Sequence, residues 1–392
     1  LETRHPLPDS AQACSTRVTS PENSPDGGHV SATLPKSMVR GGLLASRPGL
    51  DWVFILGPLT LALGLAAMAS LSPAMLLAIV LIDVWLFANP HLVATYTRIG
   101  FRAADLRREW FLIFCLPALV LVGVVVTALA YEIAGLITLY FIAQTYHVAR
   151  QSFGISRAYR RAESTNPALP SRPFHPDRLT EALIYLFPAW GLLARCADAP
   201  QTFLGYPIQL PAVPVPLVNV MGVAALACLL WWLQRQCRAA LAGTGHWRHD
   251  AFVASHLLVV FIAFVGTRDI TMGWLVINIW HNVQYLLFVW AQNIRRDSPV
   301  QSVQPSLIAV IAADGLWKKA AKYLGLCLTL GAALYLAAQW AGSQLLWLGL
   351  PTVLIAHFTL NFHHYLVDGV IWKRRRPWLI RWLAPGGSSG ER

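Results

Sequence analysis

From Asp51 to Trp372 the sequence is dominated by apolar runs of about twenty residues, the length an α-helix needs to cross the hydrocarbon core of a bilayer. Few folds accommodate such runs. In lipid the backbone polar groups must be satisfied within the segment itself, so each run reads as a spanning helix. Composition points the same way: 56% of residues are hydrophobic, 13% are charged and the mean hydropathy is +0.49, more than a soluble domain needs to fill its core. The expected fold class is therefore all-α, a polytopic integral membrane helix bundle.

Ten spanning segments are expected, roughly at 52–71, 73–97, 110–131, 133–156, 180–197, 217–235, 251–267, 271–293, 323–340 and 344–372. With the N-terminus in the cytoplasm, of 31 Lys and Arg only Arg195 and Arg268 fall outside, which leaves 29 on the inner side. That asymmetry is the signature of membrane orientation and puts both termini in the cytoplasm. A bacterial inner (cytoplasmic) membrane is the expected location, and the lipid bilayer the first partner. The formal charge of +12 does not indicate nucleic acid, because the basic residues are scattered through short loops between apolar runs.

Three regions follow: a disordered polar tail at 1–48, a ten-helix transmembrane domain at 49–376 and a short cytoplasmic tail at 377–392. Ser306 to Tyr323 reads as an amphipathic piece along the inner membrane surface. The loop from Phe203 to Pro216, rich in proline and apolar residues, is expected to cap the outer face. Six widely spaced cysteines show no metal or disulfide spacing and read as small buried hydrophobes.

Polar residues break the apolar pattern at regular places. On a helix turning 100° per residue, His357, Asn361, His364 and Asp368 fall within about 40° of one line. Tyr140, Gln144, His147 and Gln151 repeat the same spacing. Asn278, His281, Tyr285 and Gln292 give a third stripe, and Asp83 and His91 lie on a segment that Pro90 should kink or unwind. Lipid cannot satisfy such groups, so the stripes should face the bundle interior. Seven of the twelve histidines lie within spans. His91, His147, His281 and at least one of His363 and His364 are expected to bring their imidazoles within about 10 Å of one point, as ligands of a shared site must. His256 could join from the side.

Imidazoles with one or two carboxylates suit iron, zinc, copper or nickel, while the scarcity of carboxylates argues against magnesium and calcium. The expected site is a metal centre held by some of His91, His147, His281, His357, His363 and His364, with Asp83 or Asp368 as a carboxylate ligand or base. Iron is the first expectation, with zinc or copper as alternatives. A metal-dependent oxidoreductase acting on a lipid-soluble small molecule, fed by an electron donor, is the leading reading. His364 and Asp368, one turn apart, alternatively suit general-base acyl or prenyl transfer to a lipid. Facing histidines also suit haem in an electron-transfer protein, and the stripes suit a transport pathway.

In its histidines near the cytoplasmic side of a polytopic bundle, the chain is similar to the integral-membrane non-haem iron desaturases and hydroxylases. The boxes of that family read H-x-x-x-H and H-x-x-H-H. This chain has instead His357, five residues, then His363-His364, and single histidines elsewhere, so the resemblance is one of architecture. It implies oxidative chemistry by iron on a lipid.

Overall fold

A computed structural model describes residues 50–100, 103–164, 177–296 and 316–373. The expected tails at 1–48 and 377–392 lie outside the described residues. Ten long helical segments account for most of the rest: α1 (Leu50–Ala69), α2 (Pro73–Tyr96), α3 (111–131), α4 (133–164), α5 (Arg178–Asp198), α6 (Val215–Leu241), α7 (Trp247–Gly266), α8 (Ile270–Arg296), α9 (Leu316–Ser343) and α10 (Thr352–Lys373). A two-stranded hairpin, β1 (Thr202–Phe203) and β2 (Tyr206–Pro207), follows α5.

Among the described residues, six helical stretches are long and apolar enough to cross a membrane: α1, α2, the run Phe111–Glu163, α6, α7 and most of α9. The run Phe111–Glu163 cannot be one rod. Leu112 accepts a hydrogen bond from His363 Nε2 at 2.6 Å, and His147 Nε2 lies 3.2 Å from the next residue's ring nitrogen, that of His364. In a straight helix, Leu112 and His147 would stand roughly 52 Å apart. The chain reverses at Glu132, whose φ of 57° and ψ of −160° separate α3 from α4.

Two expectations need correction. Leu316 to Tyr323 belongs to the long helix α9 instead of a separate surface piece, and Tyr323 is buried with its hydroxyl 3.4 Å from Thr97 Oγ1. The last helix starts at Thr352, because Leu346–Leu348 form a 3₁₀ turn that ends at Gly349 in the left-handed conformation. Pro90 has the expected effect on α2. A proline lacks the N–H of a regular turn, and the helix widens into a π-helical stretch, Asp83–Ala88, before resuming at Asn89.

Contacts at both ends show that α2, α4, α8 and α10 run in the same direction. At the hairpin end, Leu204 N donates to Thr271 Oγ1 on α8 (3.0 Å), and Gln209 N donates to Thr138 Oγ1 on α4 (3.0 Å). At the other, basic end, Trp372 of α10 packs on Phe288 of α8 and under the Arg98 guanidinium just past α2. Helices α4 and α10 are matched every seven residues, as in a coiled coil. Tyr140 packs on Phe358 (ring centroids 5.0 Å), His147 stacks on Tyr365 (4.3 Å), and Gly154 leaves room for the Trp372 ring that a Cβ would overlap.

Charged groups gather at the basic end. Arg248 Nε pairs with Asp51 at 2.8 Å and its Nη1 with Glu163 at 3.7 Å, joining α7 to α1 and α4. Asp177, the N-cap of α5, pairs with Arg160 at 2.9 Å and with Arg235 of α6. Burial opposes its ionisation, but hydrogen bonds from Arg235 and Thr180 and the charges of Arg235 and Arg160 prevail and hold Asp177 at about 2. At the hairpin end, Arg195 donates to the carbonyls of Phe264 (2.8 Å) and Arg268 (2.7 Å), so both outlying arginines lie together.

Candidate metal centre

Each parallel helix delivers one imidazole to a common point. His91 comes from α2, immediately after the π-helical stretch and Pro90; His147 comes from α4, His281 from α8 and His364 from α10. All four are buried. The His91 ring lies 4.7 Å from those of His281 and His364 and 6.1 Å from that of His147, while His147 lies 4.9 Å from His281 and 4.7 Å from His364.

The nitrogen positions are more telling. His364 Nε2 is 2.8 Å from His91 Nε2 and 3.2 Å from His147 Nε2. A ring nitrogen carries either one hydrogen or one in-plane lone pair, so it cannot make two linear hydrogen bonds. Three nitrogens converging on one point suit a shared cation better. A zinc-sized ion bound at about 2.0–2.1 Å to each nitrogen separates them by about 2.8–3.4 Å at angles between right and tetrahedral, which the two separations from His364 match. One atom of each of His91, His147 and His364 lies within 4.8 Å of the others, a set that could hold a metal ion.

His281 packs beside this triad, with Nδ1 fixed by Gln151 Nε2 at 3.1 Å. The amide donates, so Nδ1 accepts and the ring hydrogen sits on Nε2, which makes His281 a hydrogen-bond donor beside the triad. Tyr285, one turn further along α8, packs on His91 (ring centroids 4.5 Å). Its hydroxyl donates to Asp368 Oδ1 at 2.7 Å and lies within reach of Thr95 Oγ1 (2.8 Å) and Arg98 Nη1 (3.3 Å).

The carboxylates expected at the site take other places. Asp368 Oδ1 receives Tyr285 and also Thr95 Oγ1 at 3.1 Å, so Tyr285 stands between this carboxylate and the imidazoles. Asp83 ends a chain of directed hydrogen bonds: Trp274 Nε1 donates to Gln144 Oε1, Gln144 Nε2 to Asn278 Oδ1, and Asn278 Nδ2 to Asp83 Oδ2. Asn282 Nδ2 adds a bond to Asp83 Oδ1 at 3.3 Å. The acidic end thereby fixes which way every amide in the chain points.

Three of the histidines considered for the site lie outside the group. His363, about 100° round α10 from His364, accepts from Tyr96 Oη at Nδ1 (2.8 Å) and donates to Leu112 O from Nε2, which occupies both ring nitrogens. His357 lies two turns toward the hairpin end and packs on Tyr335 and Phe358. His256 donates to Ile184 O at 3.2 Å and packs on Trp280. Arg98 and Thr95 were not among the expected residues. Their only sequence signal is that they follow His91 by seven and four residues, on its helical face.

A cavity of about 160 Å³ opens on His91, His281 and His364. Tyr140, Gln144, Asn278, Asn282, Asn361 and Tyr365 line it, with Ile137 and Leu92 among its apolar contributors. The hairpin closes one side. Phe203 is buried against Trp274 and Phe141, and Leu204 and Tyr206 reach the cavity itself. No family model, curated protein or solved structure matches the chain.

Proposed function

We propose that the chain is a multi-pass membrane protein of ten spans, its basic end in the cytoplasm, which binds a transition metal between His91, His147 and His364 and uses it for redox chemistry on a lipid-soluble substrate. The observation that carries this reading is the placement of His364 Nε2 within bonding distance of ring nitrogens from two other helices. All-imidazole ligation favours iron, copper or zinc. Among these, iron and copper support oxidation and reduction, and a site enclosed by apolar helices suits a substrate that arrives from the bilayer.

A bare ion is favoured over haem. A nitrogen contact of 2.8 Å and a cavity of about 160 Å³ leave no space for a porphyrin between the rings. General-base transfer by His364 and Asp368 is disfavoured too, because the ring faces His91 and His147 while the carboxylate receives Tyr285 and Thr95.

Metal analysis of detergent-purified protein by mass spectrometry tests the proposal. About one equivalent of iron or copper is expected, with a loss of affinity of at least about 100-fold in His364→Ala, since even partners outside the ligand set change affinity 10–100-fold. His363→Ala should keep its metal. Protein purified without metal that retains none after reconstitution with iron, copper or zinc would exclude the centre.

A further inference from the structure

The cavity at the imidazoles does not end there. A second one, of about 470 Å³, lies toward the hairpin end between α2, α9 and α10. The two share Val84, Asn89, Tyr206, Tyr335, Leu354 and His357 in their walls, so an inner and an outer chamber adjoin at these residues, the neck through which a ligand spanning both would pass. From Pro351, at the outer chamber, to His364 is thirteen residues of mostly helical chain, roughly 20 Å.

The chambers differ in chemistry. The outer one is walled mainly by Trp85, Ile133, Ala338, Leu346, Val353 and Leu354, with Ala338 and Gln339 supplied by α9. That helix is largely unburied in the bundle, as a lipid-facing helix would be. The inner chamber presents amides, phenols and imidazoles, and among the described residues none of those lining it is Asp, Glu, Lys or Arg. A charged head would find no counter-charge among these side chains, at a cost of several kcal/mol per ion unless a bound metal offsets an anion. A neutral oxygen can instead bond to the amides and phenols at little cost.

From this geometry we infer that the connected chambers bind a single-chain lipid with a small, uncharged, oxygen-bearing head, such as a long-chain alcohol or aldehyde. The head enters first and reaches the inner chamber beside His364, and the chain trails through the neck into the outer chamber. His357, on the wall of the neck, lies beside the part of the chain nearest the head. Taken together the two volumes fall in the range of ordinary ligand pockets. The inference deepens the metal-centre reading by naming the substrate class, and it relies on that reading only for the chemistry that follows binding.

The test uses the full chain in phosphatidylcholine nanodiscs and a long-chain alcohol carrying a diazirine beside its hydroxyl end. After irradiation, mass spectrometry should find label on Ile137 or Tyr140. In metal-stripped protein, unlabelled alcohol should compete, whereas the matching fatty acid should not. Leu354→Trp, filling the neck, should lower inner labelling by at least about tenfold, the loss of a pocket-sized contact, with metal content unchanged. Ala338→Trp, which narrows the outer chamber on the outward-facing helix, provides a second block should the neck variant fail to fold.

Label confined to lipid-facing positions such as Leu217 and Leu226, or equal competition by the fatty acid in the metal-stripped protein, would overturn the inference. Protein that retains no metal after reconstitution yet still labels Tyr140 would remove the metal centre and leave the lipid site standing. Metal-loaded protein that labels only its outer surface would do the reverse.

Discussion

Helices α6 and α8 are equally long, 27 residues each, yet they follow opposite rules. In α6 only Gly222, Ala225 and Trp232 are buried, and its apolar side chains point outward. In α8 nearly every residue from Gly273 to Ala291 is buried, among them Asn278, His281, Asn282 and Gln284. High apolarity marks the helix that meets lipid. The helix that never meets lipid can be polar, provided that its polar groups find partners inside the bundle.

The sharpest way to break this comparison is to make α8 more like α6. Asn278→Leu raises the hydropathy of α8 but leaves Asp83 and Gln144 without their main partners, and breaking such a buried network costs about 3–5 kcal/mol. Thermal unfolding in detergent should show a marked loss, and an unchanged midpoint would contradict the directed chain of amides.

Next in size is Gly331→Val on α9. A Cβ at this position already comes within 2.9 Å of the Asn89 backbone at the start of the segment that carries His91. Overpacking against backbone should cost about 2 kcal/mol. It should also weaken metal binding measurably, because His91 lies just beyond the contact.

The attachment of α6 at its basic end is electrostatic, through Arg235 and Asp177. The folded Asp177 titrates at about 2, below its ordinary 3.8. A depressed carboxyl stabilises the fold above its unfolded value, and that contribution disappears as pH falls through the folded value. Wild-type protein should therefore lose thermal stability between about pH 4 and pH 2 more steeply than Asp177→Asn. Parallel profiles would show that the pair contributes nothing.

The smallest effect belongs to α6 itself. Leu226→Ala, at a residue 44% exposed, should change stability by less than about 0.5 kcal/mol, since the side chain exchanges one apolar neighbour for another. A loss comparable to that of Asn278→Leu would mean that α6 packs against something beyond this chain.

The same contrast explains what could be read from the sequence. Apolar runs located all ten long helices to within a few residues at most ends, because helices packed inside such a bundle are also mostly apolar. Spacing along α4 and α10 placed His147 and His364 on inward faces, because helical periodicity is fixed. Neighbours across helices were not legible. Periodicity put His364 and not His363 on the polar stripe, but the partners of His363, Leu112 and Tyr96, could not be read from it. Asp83 and Asp368 were expected at the metal, yet Asn278, Tyr285 and Thr95 engage them first. The turn at Glu132 carried no glycine or proline signal of its own.

The seven-residue matching of α4 to α10 limits how this chain can vary in length. Deleting one residue between Tyr140 and His147 would rotate the imidazole by about 100° and shorten the span by about 1.5 Å, so His147 would turn away from His364 while Tyr140 kept its place on Phe358. Removing or adding a whole heptad in both helices together leaves every pairing intact. Viable relatives of this protein should therefore differ in these two helices by paired insertions and deletions of seven, and single-residue changes of length should gather in the loops.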